Sequence, residues 1–138
     1  MRARPGEDLR GQAREDAIIE AARALNDLDI DLLKLEYPGS PEGCRRLAEI
    51  LDRPWAVLSA GVPFDQFTDI IRIAADEGGA SGFIAGRSVW REVVGLVGHH
   101  REEFLTSVAL PRLEKLVDVA AFCARPWTEV SRRVYPAG

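Results

Sequence analysis

Lys34 and Glu36 stand two residues apart in the run Asp31-Leu-Leu-Lys34-Leu-Glu36-Tyr-Pro38, a stretch of β-forming side chains closed by a proline. A charge in such a run is expensive to bury, so it must be compensated or used. The chain has 18 basic residues, and Lys34 and Lys115 are its two lysines. Arginine keeps its proton, whereas a lysine amine can lose one, act as a nucleophile and form a Schiff base with a carbonyl. An exposed lysine is almost wholly protonated at neutral pH, so this chemistry predicts Lys34 buried or beside a cation. Glu36 lies about 6 to 7 Å further along the strand, so it is read as a proton-transfer group or as the partner of another cation.

Two later segments add anion chemistry. Leu58-Ser59-Ala60-Gly61 and Ala85-Gly86-Arg87 each close an apolar run with glycine. Glycine lets a ligand approach the backbone N–H groups, and a following helix would point its positive end at an anion. Arg87 brings a permanent, forked cation suited to phosphate or sulfonate oxygens. These residues also have plainer readings, as turn glycines and a solvated arginine. His99-His100 reads as a surface pair, Arg45-Arg46 and Arg132-Arg133 as solvated faces, and Trp90 and Trp127 as packing against closing helices.

The elements that must position these groups follow from hydrophobic spacing. Leu9, Ala13, Ala17, Ile18, Ala21, Ala22 and Leu25 recur with helical period over residues 9–26. Residues 30–37 form a near-continuous apolar run, as in a parallel strand covered on both faces. Ser40-Pro41 is an N-cap and first-turn pair for a helix through about Leu51. A second strand is predicted over 55–60, then a helix from Pro63 to the Gly78-Gly79 stop. A third strand covers 81–85, followed by a helix over 88–97. From about His100 the pattern is helical alone until Pro126-Trp127. Three strand-helix units in succession predict parallel α/β packing, with 9–98 as those units and 99–138 as a C-terminal helical extension of the single 1–138 domain. Along the first strand Leu32, Lys34 and Glu36 share one face, and Leu33, Leu35 and Tyr37 the other, which would pack on helices.

Composition narrows the function classes. A length of 138 residues with 46% hydrophobic and 29% charged side chains is ordinary for one globular domain. A net charge of −4 argues against nucleic acid or an anionic membrane as partner. No apolar run approaches the ~20 residues of a membrane span, and Met1-Arg-Ala-Arg-Pro-Gly-Glu lacks a signal peptide's apolar stretch, so a cytoplasmic location is expected. Cys44 and Cys123 have no neighbouring cysteine and are read as free thiols; no metal site is expected.

The run 31–38, Leu58-Ser59-Ala60-Gly61-Val62, Gly86-Arg87-Ser88-Val89-Trp90 and Arg125-Pro126-Trp127 together resemble the class I aldolases of the tagatose 1,6-bisphosphate type, a group that includes the sulfofructose-phosphate aldolases. The resemblance runs over nearly the whole chain but matches the C-terminal half of that family's TIM (β/α)8 barrel, from the helix after strand five through strands six to eight and the closing helices. It implies that Lys34 is the Schiff-base lysine and that Ser59, Gly61, Gly86 and Arg87 hold the anionic end of a sugar phosphate, with Glu36 beside them as the candidate for proton transfer or for pairing with another group. The implied reaction needs no cofactor. The amine attacks the ketone carbon of a ketose phosphate and loses water; the protonated imine then draws in the electrons of the neighbouring C–C bond, releasing an aldehyde and a three-carbon ketone phosphate. A complete barrel takes eight strands and about 250 residues, so the chain is expected to be a fragment, a half-barrel completed by a second copy or by an N-terminal half-barrel, or a decayed enzyme. The competing expectation is a non-catalytic sugar-phosphate-binding or oligomerisation module.

Overall fold

A computed structural model describes residues 9–131. Its centre is a three-stranded parallel sheet, β1 (Leu33–Glu36), β2 (Trp55–Leu58) and β3 (Gly82–Ile84), in the order β1-β2-β3. Each strand is followed by a helix, so the connections are crossovers of the βαβ kind. Lys34 lies opposite Ala56, which lies opposite Gly82; two residues on, Glu36, Leu58 and Ile84 form the row at the strand ends. The strands are shorter than the apolar runs predict, because a ladder extends only as far as its neighbour supplies partners, and β3 supplies three residues.

Helices α1 (Gly11–Asn26), α2 (Pro41–Ile50) and α3 (Phe64–Gly78) cover one face of the sheet. Leu33, Leu35, Trp55 and Val57 point into that layer and meet Ile19, Leu47, Phe67 and Ile71. Trp55 donates its indole N–H to Gly78 O at 2.9 Å in the buried layer. A Cβ at Gly78 would stand 2.8 Å from the Trp55 ring and 3.2 Å from the Cys44 carbonyl, so α2 and α3 meet there because no side chain intervenes. Ser40 caps α2, its oxygen accepting from Gly43 N at 2.9 Å with Pro41 next in line. Gly79 closes α3 in the left-handed region (φ 63°), its N–H returning to Ala75 O while Ala80 N reaches Ala74 O.

The opposite face departs from the expectation of a strand covered on both sides. Leu33 is 1% exposed and Leu32, its neighbour, is 46% exposed. Lys34, Glu36 and Ile84 are exposed as well, so among the described residues no helical layer buries this face.

The segment after β3 also differs. In place of one helix over 88–97 there is a single turn, α4 (Arg87–Trp90), and then a 3-10 stretch (Arg91–Gly95). α5 (Gly98–Phe104) leads through a π turn (Leu105–Ala109) into α6 (Leu110–Cys123), and α7 (Trp127–Val130) follows. The π turn lies just before Pro111, whose nitrogen has no hydrogen to donate one turn back. α6 packs on α3, and Arg125 N donates to Ala80 O at 3.0 Å. No described helix is long and apolar enough to cross a membrane. Arg132-Arg133 lies outside the described residues.

Candidate active site

Lys34 sits in the middle of β1 on the open face, two residues short of the strand-end row of Glu36, Leu58 and Ile84. Beyond those ends the chain makes two loops. After β2, Ser59 to Val62 form a tight turn closed by Val62 N to Ser59 O at 3.1 Å, with Ala60 at φ 49° and Gly61 at φ 77°. Positive φ at both central residues is the type I′ geometry, which glycine adopts freely and alanine at a cost of about 1–2 kcal/mol. After β3, Gly86 precedes α4 with φ −144° and accepts from Val89 N at 2.8 Å.

Side chains from the second loop hold the first. Ser88 Oγ donates to Val62 O, and an Arg91 guanidinium N–H donates to Gly61 O. Ser59 N in turn donates to Ile84 O at 3.1 Å, which joins the two strand ends directly. The loops are thus one bonded unit, poised over the end of the open face.

A cleft of about 320 Å³ lies between them, lined by Lys34, Ser59, Gly61, Gly86, Arg87 and Trp90 together with Leu58, Ala60, Ile84 and Ala85. Five of the six residues predicted from sequence meet there. Glu36, the sixth, does not line it. Its carboxylate is ion-paired with Arg14 of α1, and Arg14 Nη1 also donates to Tyr37 O at 3.1 Å. Arg14 lies near the start of α1, and its bonds to Glu36 and Tyr37 tie that end of the helix to the C-terminal end of β1.

Two expectations need correcting. Lys34 was expected to be buried in an apolar run, yet its side chain is exposed, because alternation turns it to the uncovered face. Trp90 was expected to pack on the closing helices; it is 40% exposed and stands over Gly86, its ring atoms 3.9 Å from where a Cβ would be. A single helical turn after Gly86 also contributes little dipole, so the cleft's positive charge comes from side chains, Arg87 together with Lys34. Gly61 has a different neighbour from the one its sequence position suggests: the space a Cβ would take is filled by Arg87 and Arg91.

Other polar groups have structural partners. Glu15 is buried and accepts from Ser40 Oγ at 2.5 Å, from Arg46 at 3.0 Å and from Gln12 at 3.3 Å. The Ser40 hydroxyl above all, opposed by burial, holds the Glu15 carboxyl below the usual carboxylate range. Cys44 is free and buried, and burial pushes its thiol up to about 12, which leaves it inert. His99 and His100 are both exposed. Among the described residues no cluster of His, Cys, Asp and Glu could hold a metal ion.

Comparison with known proteins bears on residues of this same region. A model of the DeoC/LacD family of aldolases matches residues 3–92, which include Lys34, both loops and Trp90. Two fructose-bisphosphate aldolases of class 1 from Halobacterium salinarum, strains R1 and NRC-1, are each 32% identical over 88 residues, covering 62% of this chain and 33% of theirs. The chain spans about a third of the length of these curated relatives.

Proposed function

Because the chain belongs to the DeoC/LacD family of aldolases, we propose that it carries the imine-forming half of an aldehyde-lyase site acting on a ketose phosphate, with Lys34 as the Schiff-base amine. The observation that supports this reading most is that Lys34 shares one cleft with Ser59, Gly61, Gly86 and Arg87. An amine and an anion seat are therefore adjacent on one face, as a ketone three atoms from a phosphate requires. Substrates in this class are fructose or tagatose 1,6-bisphosphate and sulfofructose 1-phosphate. Glu36, paired with Arg14 outside the cleft lining, is assigned the proton-transfer role.

On this reading residues 9–98 are strand-helix units six to eight of a TIM barrel, and the helices from residue 99 on are its closing extension. β1 and β3 are the edge strands of the sheet, and a barrel leaves no edges. Closing the open face with five more strands, from a complementing N-terminal half-barrel or another part of a longer chain, would desolvate Lys34, and a neutral amine is what imine formation needs. A cytoplasmic setting suits such a reaction.

The exposure of Lys34 favours a second reading, in which this chain by itself binds sugar phosphate or assembles with another copy without turnover. One experiment separates the two. The chain is incubated with dihydroxyacetone phosphate and borohydride, digested, and its Lys34 peptide weighed by mass spectrometry. A reduced three-carbon phosphate adduct on Lys34 is the expected result. Phosphate binding without an adduct would leave only the binding module.

A further inference from the structure

Two guanidinium groups occupy the open side of Gly61. A Cβ built there would stand 3.0 Å from Arg91 Nη2 and 3.2 Å from Arg87 Cζ, so the two groups approach one α-carbon and lie within about 6 Å of each other, where like charges repel. Among the described residues neither has a salt bridge. Glu92, next to Arg91 in sequence, is bridged by Arg112 at 2.9 Å and lies within electrostatic reach of Arg91, and Asp65, which lines the cleft of about 350 Å³ that Arg87 and Arg91 share, forms a salt bridge with neither. Arg87 borders both this cleft and the one containing Lys34; Arg91 borders only this one. Arg91 uses one N–H on Gly61 O, and a guanidinium has five.

We propose that Arg91 is a second ligand for the substrate's anionic end and that the Arg87 and Arg91 pair selects a phosphate monoester over a sulfonate. The inference rests on the reading of the Gly61 and Arg87 loops as an anion seat. A phosphate monoester carries about 1.5 to 2 negative charges at neutral pH and three acceptor oxygens, so it compensates two guanidinium groups at once. A sulfonate carries one charge and leaves one cation unmatched. The turn serves this pairing, since a side chain at position 61 would push the guanidinium groups away.

Isothermal titration of the full chain with inorganic phosphate and with methanesulfonate tests the proposal. The wild type is expected to bind phosphate at least about tenfold more tightly than methanesulfonate. Arg91→Met is expected to weaken phosphate binding about tenfold and to remove most of the preference, with Arg91→Lys recovering part of it. Arg91→Gln keeps a donor for Gly61 O without the charge, and it should behave like Arg91→Met. Wild-type affinity in Arg91→Gln would reduce Arg91 to a clamp on the turn and overturn the proposal, as would equal wild-type affinities for the two anions or no phosphate binding at all. Borohydride trapping on Lys34 without any Arg91 effect would sink this inference and leave the aldolase reading standing. A phosphate preference that depends on Arg91, with no adduct on Lys34, would do the reverse.

Discussion

The two faces of the sheet obey different rules although their residues alternate along the same three strands. On one, Leu33, Leu35, Trp55 and Val57 lie under helices and are held by packing. On the other, Leu32 and Ile84 are left partly in water beside Lys34 and Glu36, and the order there comes from loop hydrogen bonds and an ion pair. The difference teaches that stability and chemistry are separable here: the covered face can hold the fold while the open face is free to meet a ligand or another set of strands.

The contrast breaks most easily by deletion on each face. Ile71→Ala, in the layer against the covered face, should cost about 2–5 kcal/mol in urea unfolding, whereas Leu32→Ala should stay within about 0.5 kcal/mol. Similar losses would mean that the open face is packed after all. Gly78→Ala forces a methyl against the Trp55 ring and the Cys44 backbone and should cost about 1–3 kcal/mol, while Gly82→Ala, which meets nothing within 4 Å, should show no such clash. A thermal melt of both variants decides it.

A third test sharpens the comparison at the rim between the faces. Ser40→Ala removes the cap of α2 and the hydroxyl that Glu15 accepts, for about 0.5–2 kcal/mol at neutral pH. Because the Glu15 carboxyl is depressed in the folded state, chiefly by Ser40, its contribution is present above the unfolded carboxyl range and is lost as pH falls through the folded value. The Ser40→Ala variant should therefore show a flatter loss of stability on acidification than the wild type, measured by unfolding at a series of pH values. The smallest effect belongs to the site itself. Ala60→Gly relieves a positive φ at the turn and should raise stability by less than about 1 kcal/mol, the gain being offset by glycine's greater freedom when unfolded. A loss on this substitution would mean that the Ala60 methyl has a packing role.

Local chemistry made part of this readable in advance. The order of the strand-helix units, the Ser40-Pro41 start and the Gly78-Gly79 stop depend on neighbours in sequence, and the structure has them in those places. Alternation along β1 likewise separates Leu33 and Leu35 from Lys34 and Glu36. The shortness of the strands was not readable, since it depends on which residues find a partner across the sheet. Nor was Arg14 beside Glu36, 22 residues away in sequence, or Arg91 beside Gly61, 30 residues away. A charged residue on a helix or in a loop gives no signal of what it will face until crossovers bring the segments together. Trp90 misled for the same reason: its size suggested a packing role, and the break of the helix after one turn left it at the cleft.

Taken alone, the order of residues determined the types of chemistry available, an amine two positions from a carboxylate and glycines at the ends of apolar runs, because residue type and period are local properties. Tertiary structure decided which of these meet. It collected Lys34 with Ser59, Gly61, Gly86 and Arg87, drew Glu36 to Arg14, and left Lys34 in water. Parallel register and crossover packing fix distances between segments that are far apart along the chain, and burial depends on what covers a face rather than on the residues within it.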